Sequence, residues 1–335
     1  MVYVTIRKLI HDLDVALAIG GLIAGIFLTG SSLWYSFRYL GYGVILVASC
    51  GVYLVLRNRL PVGYDFEERF ATSQSLLRTL TTASFFVILS MSFAVVQLGL
   101  YGRVWIFFPF AAVMSGILTF QIVSFQTSRG TRNLLVGQIF ALFLILRLSL
   151  LQQYPSSVLG IDPWNHLSHL PAIASEGHVP LGLQYSGFPA MHIAVIIISQ
   201  MTHFDFHASY VLTLLFFELV GLLFILKLAE DLANTRVALL TILMLTILQT
   251  SIRWGWWLTP TTIGLSIMPL LVYALLRDNT EHIAEYRLVA ILFLAFTVTM
   301  HTFSTIVFFA CLALLYMAFR LLRWGKNENL RELPK

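Results

Sequence analysis

The chain has 335 residues, of which 58% are hydrophobic and only 11% charged, with a net charge of +5. A soluble domain carries roughly 25% charged residues, so this composition excludes an ordinary soluble protein and points to a polytopic protein in a lipid bilayer. The positive balance reads as loop Lys and Arg facing a cytoplasm; no basic cluster carries interleaved aromatics, and no nucleic-acid partner is expected.

A short polar lead with Arg7 and Lys8 precedes two apolar runs, about 15–35 and 39–56. The first is expected to be a retained span, since further apolar runs follow it and no convincing cleavage site does. After a polar segment holding Arg57, Arg59, Asp65, Glu67, Glu68 and Arg69, spans are expected at about 80–100, 104–125 and 134–151. Each comes near the twenty residues needed to cross the hydrocarbon. The basic turn Arg129–Arg132, with Arg57 and Arg59, predicts a cytoplasmic N-terminus and places loop 152–187 outside. The apolar run 188–201 is short for a span and is expected to be re-entrant or strongly tilted. Runs at about 210–226, 237–248 and 262–276 follow. The last run, 288–319, is about 48 Å long as one helix, too long for one bilayer, and is expected to break near Met300, His301 and Thr302. The expected fold is therefore an all-α membrane protein. It has about ten transmembrane helices, one short re-entrant or tilted helix, and an external loop with a short amphipathic helix. Cys50 and Cys311 both sit in apolar runs, so no disulfide framework is expected.

Polar chemistry concentrates between residues 160 and 192. No Lys or Arg occurs between Arg147 and Lys227, and six of the nine histidines (His166, His169, His178, His192, His203, His207) fall in that window. Asp162-Pro163 suits a helix start, with Asp as N-cap and Pro at the first helical position. On a helix from there to Glu176, His166, His169, Ile173 and Glu176 share a stripe, with Trp164, Leu167, Pro171 and Ala174 opposite. The pattern suggests a helix lying on the membrane, its polar stripe towards the outside or a cavity. Pro171 should kink it and Gly177 can end it. Asp162, His166 and His169 share a face and can chelate a divalent metal; solvated loop histidines are the bland alternative. His192 stands four residues into an apolar run, where a polar group needs a partner. Arg253 with Trp254, Trp256 and Trp257 reads as an interface cluster, and His301 as an interhelical hydrogen-bonder.

The run Gly-Ile-Asp-Pro-Trp-Asn-His at 160–166, followed by Tyr-Ser-Gly-Phe-Pro-Ala-Met-His at 185–192, resembles the first external loop of GT-C-type membrane glycosyltransferases. The nearest likeness is to prokaryotic relatives of the protein mannosyltransferases and oligosaccharyltransferases. Apolar runs and loop charge give an N-terminal four-helix region (1–133) and a cytoplasmic tail (324–335). The seven apolar segments within 134–323, carrying external loop 152–187, look like the seven-helix module of that superfamily. The resemblance implies a multi-pass plasma-membrane enzyme that takes sugar from a polyprenyl-phosphate donor to a glycan or protein acceptor, on the non-cytoplasmic face. Asp162 would be its base or metal ligand, and Mg2+ or Mn2+ the metal where one is used.

Such a transfer needs a base for the acceptor hydroxyl and positive charge or hydrogen bonds for the leaving phosphate. Asp162 is the expected base. Arg253, His192 and His301 are the expected phosphate contacts, with Trp164 and Tyr185 in the substrate site. The rival readings are a transporter of a lipid-linked or small polar solute, and a non-catalytic scaffold of the same architecture.

Overall fold

The computed structural model describes residues 74–97, 106–151, 158, 160–183, 186–248, 259–276, 283–301 and 304–310, with isolated positions at 22, 26, 29, 30, 47, 51 and 313. The expected spans at 15–35 and 39–56, Tyr185, and the cluster from Arg253 to Trp257 lie outside the described residues, as does most of 302–319. The chain divides into two units, Met1–Thr72 and Ser73–Lys335.

Among the described residues, nine helices lie in the second unit: α1 (Gln74–Gln97), α2 (Phe107–Ser124), α3 (Arg129–Leu151), α4 (Ile161–Glu176), α5 (Ala190–Thr202), α6 (Phe206–Leu232), α7 (Thr235–Ile247), α8 (Pro260–Leu276) and α9 (Ile283–Met300). Among the described residues no strand occurs. Segments within α1, α2, α3 and α6 are long and apolar enough to cross a membrane, while α5, α7 and most of α8 are shorter apolar helices. The run expected to break near residue 300 does so: α9 ends at Met300, and the chain is helical again at 304–310.

Two ion pairs fix how α3 and α6 run. Arg132 Nη2 donates to Glu230 Oε2 at 2.9 Å, and Arg147 Nε donates to Glu218 Oε2 at 3.0 Å. Rising numbers on α3 meet falling numbers on α6, so the two helices are antiparallel. The end of α3 at Leu151 and the start of α6 at Phe206 therefore lie at the same end of the bundle. Both α4 and α5 occupy the chain between those two points. Helix α5 has thirteen residues and is about 20 Å long, shorter than the hydrocarbon is thick.

The packing of α8 against α6 gives its direction. Phe217 of α6 stacks on Phe296 of α9, and Phe224 of α6 lies against Tyr273 of α8, both pairs with ring centroids 5.6 Å apart. At Gly221 the absent side chain is required: a Cβ there would collide with the backbone carbonyl of Ser266. Small residues let membrane helices approach to this distance, where van der Waals packing holds them. Residues 221 and 224 meet 266 and 273 in rising order, so α6 and α8 run parallel. The start of α8 thus points to the same end as the start of α6, and α9 returns towards it.

Basic residues gather at the opposite end. There Arg78 Nη1 donates to Thr131 Oγ1 at 3.2 Å, Arg132 meets Glu230, Lys227 meets Asp231, and Arg236 Nη2 donates to the Phe125 carbonyl at 3.3 Å. The last bond serves a carbonyl at the C-cap of α2, which has no acceptor role left within its own helix.

Candidate functional site

The end of the bundle away from those basic residues carries the histidines. Helix α4 begins one residue before Asp162: its N-cap is Gly160, with φ 98° and ψ 156°, and no side chain caps it. The expected Asp162 N-cap is therefore corrected. Asp162 lies in the first helical turn and Pro163 one position further in, where a missing N–H still costs nothing because the first four have no partner inside the helix. Gly160 adopts its positive φ without a Cβ penalty. Gly177 ends the helix as expected, in the left-handed conformation with its N–H donating to the Ile173 carbonyl at 3.1 Å. Helix α4 passes through Pro171.

Of the two directions expected for the polar stripe of α4, the outside or a cavity, the structure shows the inward one at its first histidine: His166 is 2% exposed, and Pro163, Leu170 and Ile173 are buried with it. Ile161 and Trp164 face out instead, 85% and 60% exposed. Packing explains the inward direction, because α4 lies on both α5 and α6 and the four positions 163, 166, 170 and 173 form one helical stripe. The one polar member of that stripe, His166, finds its partners inside the protein.

Those partners are other histidines. His166 Nδ1 and His192 Nε2 of α5 stand 3.3 Å apart, one nitrogen donating to the other, and their ring centroids are 5.2 Å apart. The His169 ring lies 6.0 Å from that of His192, and His169 Nε2 is buried without a hydrogen-bond partner. Burial, with help from His192, His169 and His301, pushes the His166 imidazole down to about 3, so the ring is neutral across the physiological range. His301, just past α9, is bonded to Thr261 Oγ1 in the first turn of α8 (3.3 Å from Nδ1). Four of the residues singled out by sequence, from α4, α5 and the end of α9, thus come to one place.

Asp162, in the first turn of α4, is exposed. The expected metal set of Asp162, His166 and His169 is not assembled, because His166 turns inward to His192 while Asp162 stays outside. Among the described residues no three His, Cys, Asp or Glu side chains converge in a geometry that holds an ion. The residues therefore do not fit an oxygen-bound Mg2+ or Mn2+ at Asp162. His192, 2% exposed, faces His166 and not the surface, so as the chain stands it is no open phosphate contact. Trp164 is exposed, two residues along α4 from Asp162.

Sequence reading passed over two groups. Arg147 and Glu218 are charged side chains buried deep within α3 and α6, 4% and 8% exposed, and they bond to each other. Arg147 also lies over the Phe143 ring at 4.8 Å, while its Nη1 has no partner. Each is the lone charge in its apolar run, and that was the available signal: a charge inside a membrane segment needs a named partner.

Compared with protein-family models, with curated proteins and with solved structures, the chain has no match in any of the three. The class defined by its own features is an all-helical protein with candidate membrane spans, histidines at one end of the bundle and basic residues at the other.

Proposed function

We propose that the chain is a membrane glycosyltransferase of the GT-C type, moving a sugar from a polyprenyl-phosphate donor to a glycan or protein acceptor on the non-cytoplasmic face of the plasma membrane. The observation that carries this reading is Asp162. It is an exposed carboxylate in the first turn of α4 and is not used as that helix's cap. It occupies the position that the resemblance assigns to the loop acid, at the end of the bundle away from Arg132, Lys227 and Arg236. With those basic residues inside, as loop charge prefers, the Asp162 end is outside. The two apolar runs before residue 57 and those after residue 288 bring the expected total to about ten spans.

The chemistry asked of the chain is limited. The Asp162 carboxylate takes the proton of the acceptor hydroxyl as that oxygen bonds to the anomeric carbon. The bond from that carbon to the phosphate oxygen breaks, and its electron pair leaves with the phosphate. Exposed Trp164, one helical position from Pro163, offers an apolar face to donor or acceptor. A polyprenyl tail would lie against the lipid-facing apolar helices, and Arg253 is the proposed cation for the phosphate.

The test is transfer of radiolabelled sugar from a polyprenyl-phosphate donor in membranes, comparing the native chain with Asp162→Asn. Loss of a general base costs typically about 10²–10⁴-fold, so transfer should fall by that factor. Stability should change little, because an acid in the first helical turn is worth about 0.3–1 kcal/mol. Native-level transfer by Asp162→Asn would remove Asp162 as base and with it this reading.

One observation favours a second reading. Arg147 and Glu218 form a buried pair within candidate spans, the kind of group that marks solute or proton paths in transporters. Under that reading Glu218→Gln would abolish solute flux into proteoliposomes while leaving sugar transfer absent in both forms.

A further inference from the structure

We propose that the connection from α2 into α3, with the arginines around it, binds an acidic phospholipid, guanidinium holding the phosphodiester and exposed apolar side chains the acyl tails. The charges come first. Among the described residues, Arg78 of α1, Arg129 and Arg132 of α3, Lys227 of α6 and Arg236 of α7 stand at this end of the bundle. Glu230 matches Arg132, and Asp231 matches Lys227. Arg78, Arg129 and Arg236 meet no carboxylate among the described residues.

The bonds shown for Arg78 and Arg236 go to neutral oxygens of one short stretch of chain. Arg78 Nη1 donates to Thr131 Oγ1 at 3.2 Å, and Arg236 Nη2 to the Phe125 carbonyl at 3.3 Å. Arg129 lies between those two acceptors in sequence and is exposed. A hydroxyl or carbonyl oxygen orients a guanidinium without offsetting its charge, and its five N–H groups leave donors for a further acceptor. Phosphate oxygens suit that planar fork. The apolar half of the site adjoins the charges. Leu76, Leu77 and Leu80 flank Arg78 and are exposed, as are Val123 just before Phe125 and Val237 next to Arg236. A soluble anion would use only the arginines, whereas a lipid uses both halves. Arg78 and Arg129 also lie in the first turns of candidate spans, near the depth of lipid headgroups. With the basic end cytoplasmic, the lipid belongs to the cytoplasmic leaflet, whose negative charge attracts basic residues at span ends. The inference rests on the membrane reading and not on the transferase reading, whose proposed base lies at the other end of the bundle.

The experiment uses the full chain, delipidated in a non-ionic detergent, with bound lipid counted by native mass spectrometry. The probes are phosphatidylglycerol and phosphatidylcholine with identical acyl chains. Expected is one phosphatidylglycerol per chain, bound at least roughly tenfold more tightly than phosphatidylcholine. A basic residue at an acidic headgroup contributes roughly fivefold in affinity, so Arg78→Gln and Arg236→Gln should each weaken binding by about that factor. Arg129→Gln, at an exposed side chain, should do the same and reads the site even where either of the others unfolds. Arg78→Lys retains the charge and should bind nearly as the native chain does. Lys227→Gln removes the same charge from the same end, but from an existing ion pair, and should leave binding unchanged. Glycerol phosphate, with the charge and no tails, should not displace the lipid at equal concentration. Equal affinity for the two lipids, or binding unchanged in all three Gln variants at arginine, would overturn the proposal. So would a loss in Lys227→Gln as large as in Arg78→Gln, and displacement by glycerol phosphate would exclude a lipid as the ligand.

Discussion

Two aspartates near helix starts behave differently, and the difference sets what each mutant should do. Asp205 caps α6: its Oδ1 accepts the Ala208 N–H at 2.7 Å. Asp162 sits inside the first turn of α4 and caps nothing. Asp205→Ala should therefore cost about 0.5–2 kcal/mol and Asp205→Asn almost nothing, read from thermal unfolding in detergent. The buried pair gives a sharper case. Arg147→Met or Glu218→Leu alone strands a charge in the interior and should cost about 3–5 kcal/mol. The double variant should recover most of that loss, because filling the space with apolar groups leaves no charge unpaired. A double variant as unstable as either single one would show that the pair is held for more than charge balance. Sequence exposed the histidines and Asp162 because they are rare residue types crowded into one window. It hid their partners: which imidazole meets which depends on α5 folding back beside α4. Arg147 and Glu218 escaped notice as a pair because 71 residues separate them.

Helix existence was readable from apolar run length, but helix ends were not. Helix α3 starts at Arg129, five residues before the apolar run, and α6 continues six residues beyond its run to Leu232. Hydropathy reports the part that faces hydrocarbon. The helix continues where charges find partners, as Arg132 does with Glu230 and Lys227 with Asp231. The direction of the α4 stripe stayed open between the outside and a cavity for a related reason. A stripe of histidines reads as a wet face unless other histidines wait beneath it. Contacts between elements yield another prediction. At Gly264 a Cβ would stand 2.6 Å from both Cβ and Oγ of Ser304, and at Gly221 it would meet the Ser266 carbonyl. Gly221→Leu should push α8 off α6 and cost about 1–3 kcal/mol or more, measured as loss of thermal stability. Gly116→Leu, with no atom within 4 Å of the new Cβ, should be tolerated. Equal tolerance at both positions would mean α6 and α8 do not pack closely.

At the scale of the whole molecule the decisive question is how often the chain crosses the membrane between α3 and α6. The apolar run that becomes α5 could be read from sequence either as a span or as a re-entrant segment. The ion pairs at 132–230 and 147–218 make α3 and α6 antiparallel, and two antiparallel helices that both cross the membrane have an even number of crossings between them. Helix α5 then starts beside His166 and ends at His203, whose positive φ of 57° turns the chain into the Asp205 cap without its leaving that end. Residues 175 and 202 should therefore share one side of the membrane, and residue 233, after α6, should lie on the other. All three positions are exposed, so single cysteines at Ser175, Thr202 and Ala233 can report on this in a background without Cys50 and Cys311. In intact cells an impermeant maleimide should label Ser175→Cys and Thr202→Cys, and should reach Ala233→Cys only after permeabilisation. Thr202→Cys labelled only after permeabilisation, with Ser175→Cys labelled from outside, would make α5 a true span. It would also carry α6 across in the opposite direction and put Ala233→Cys outside, which the two ion pairs with α3 do not allow.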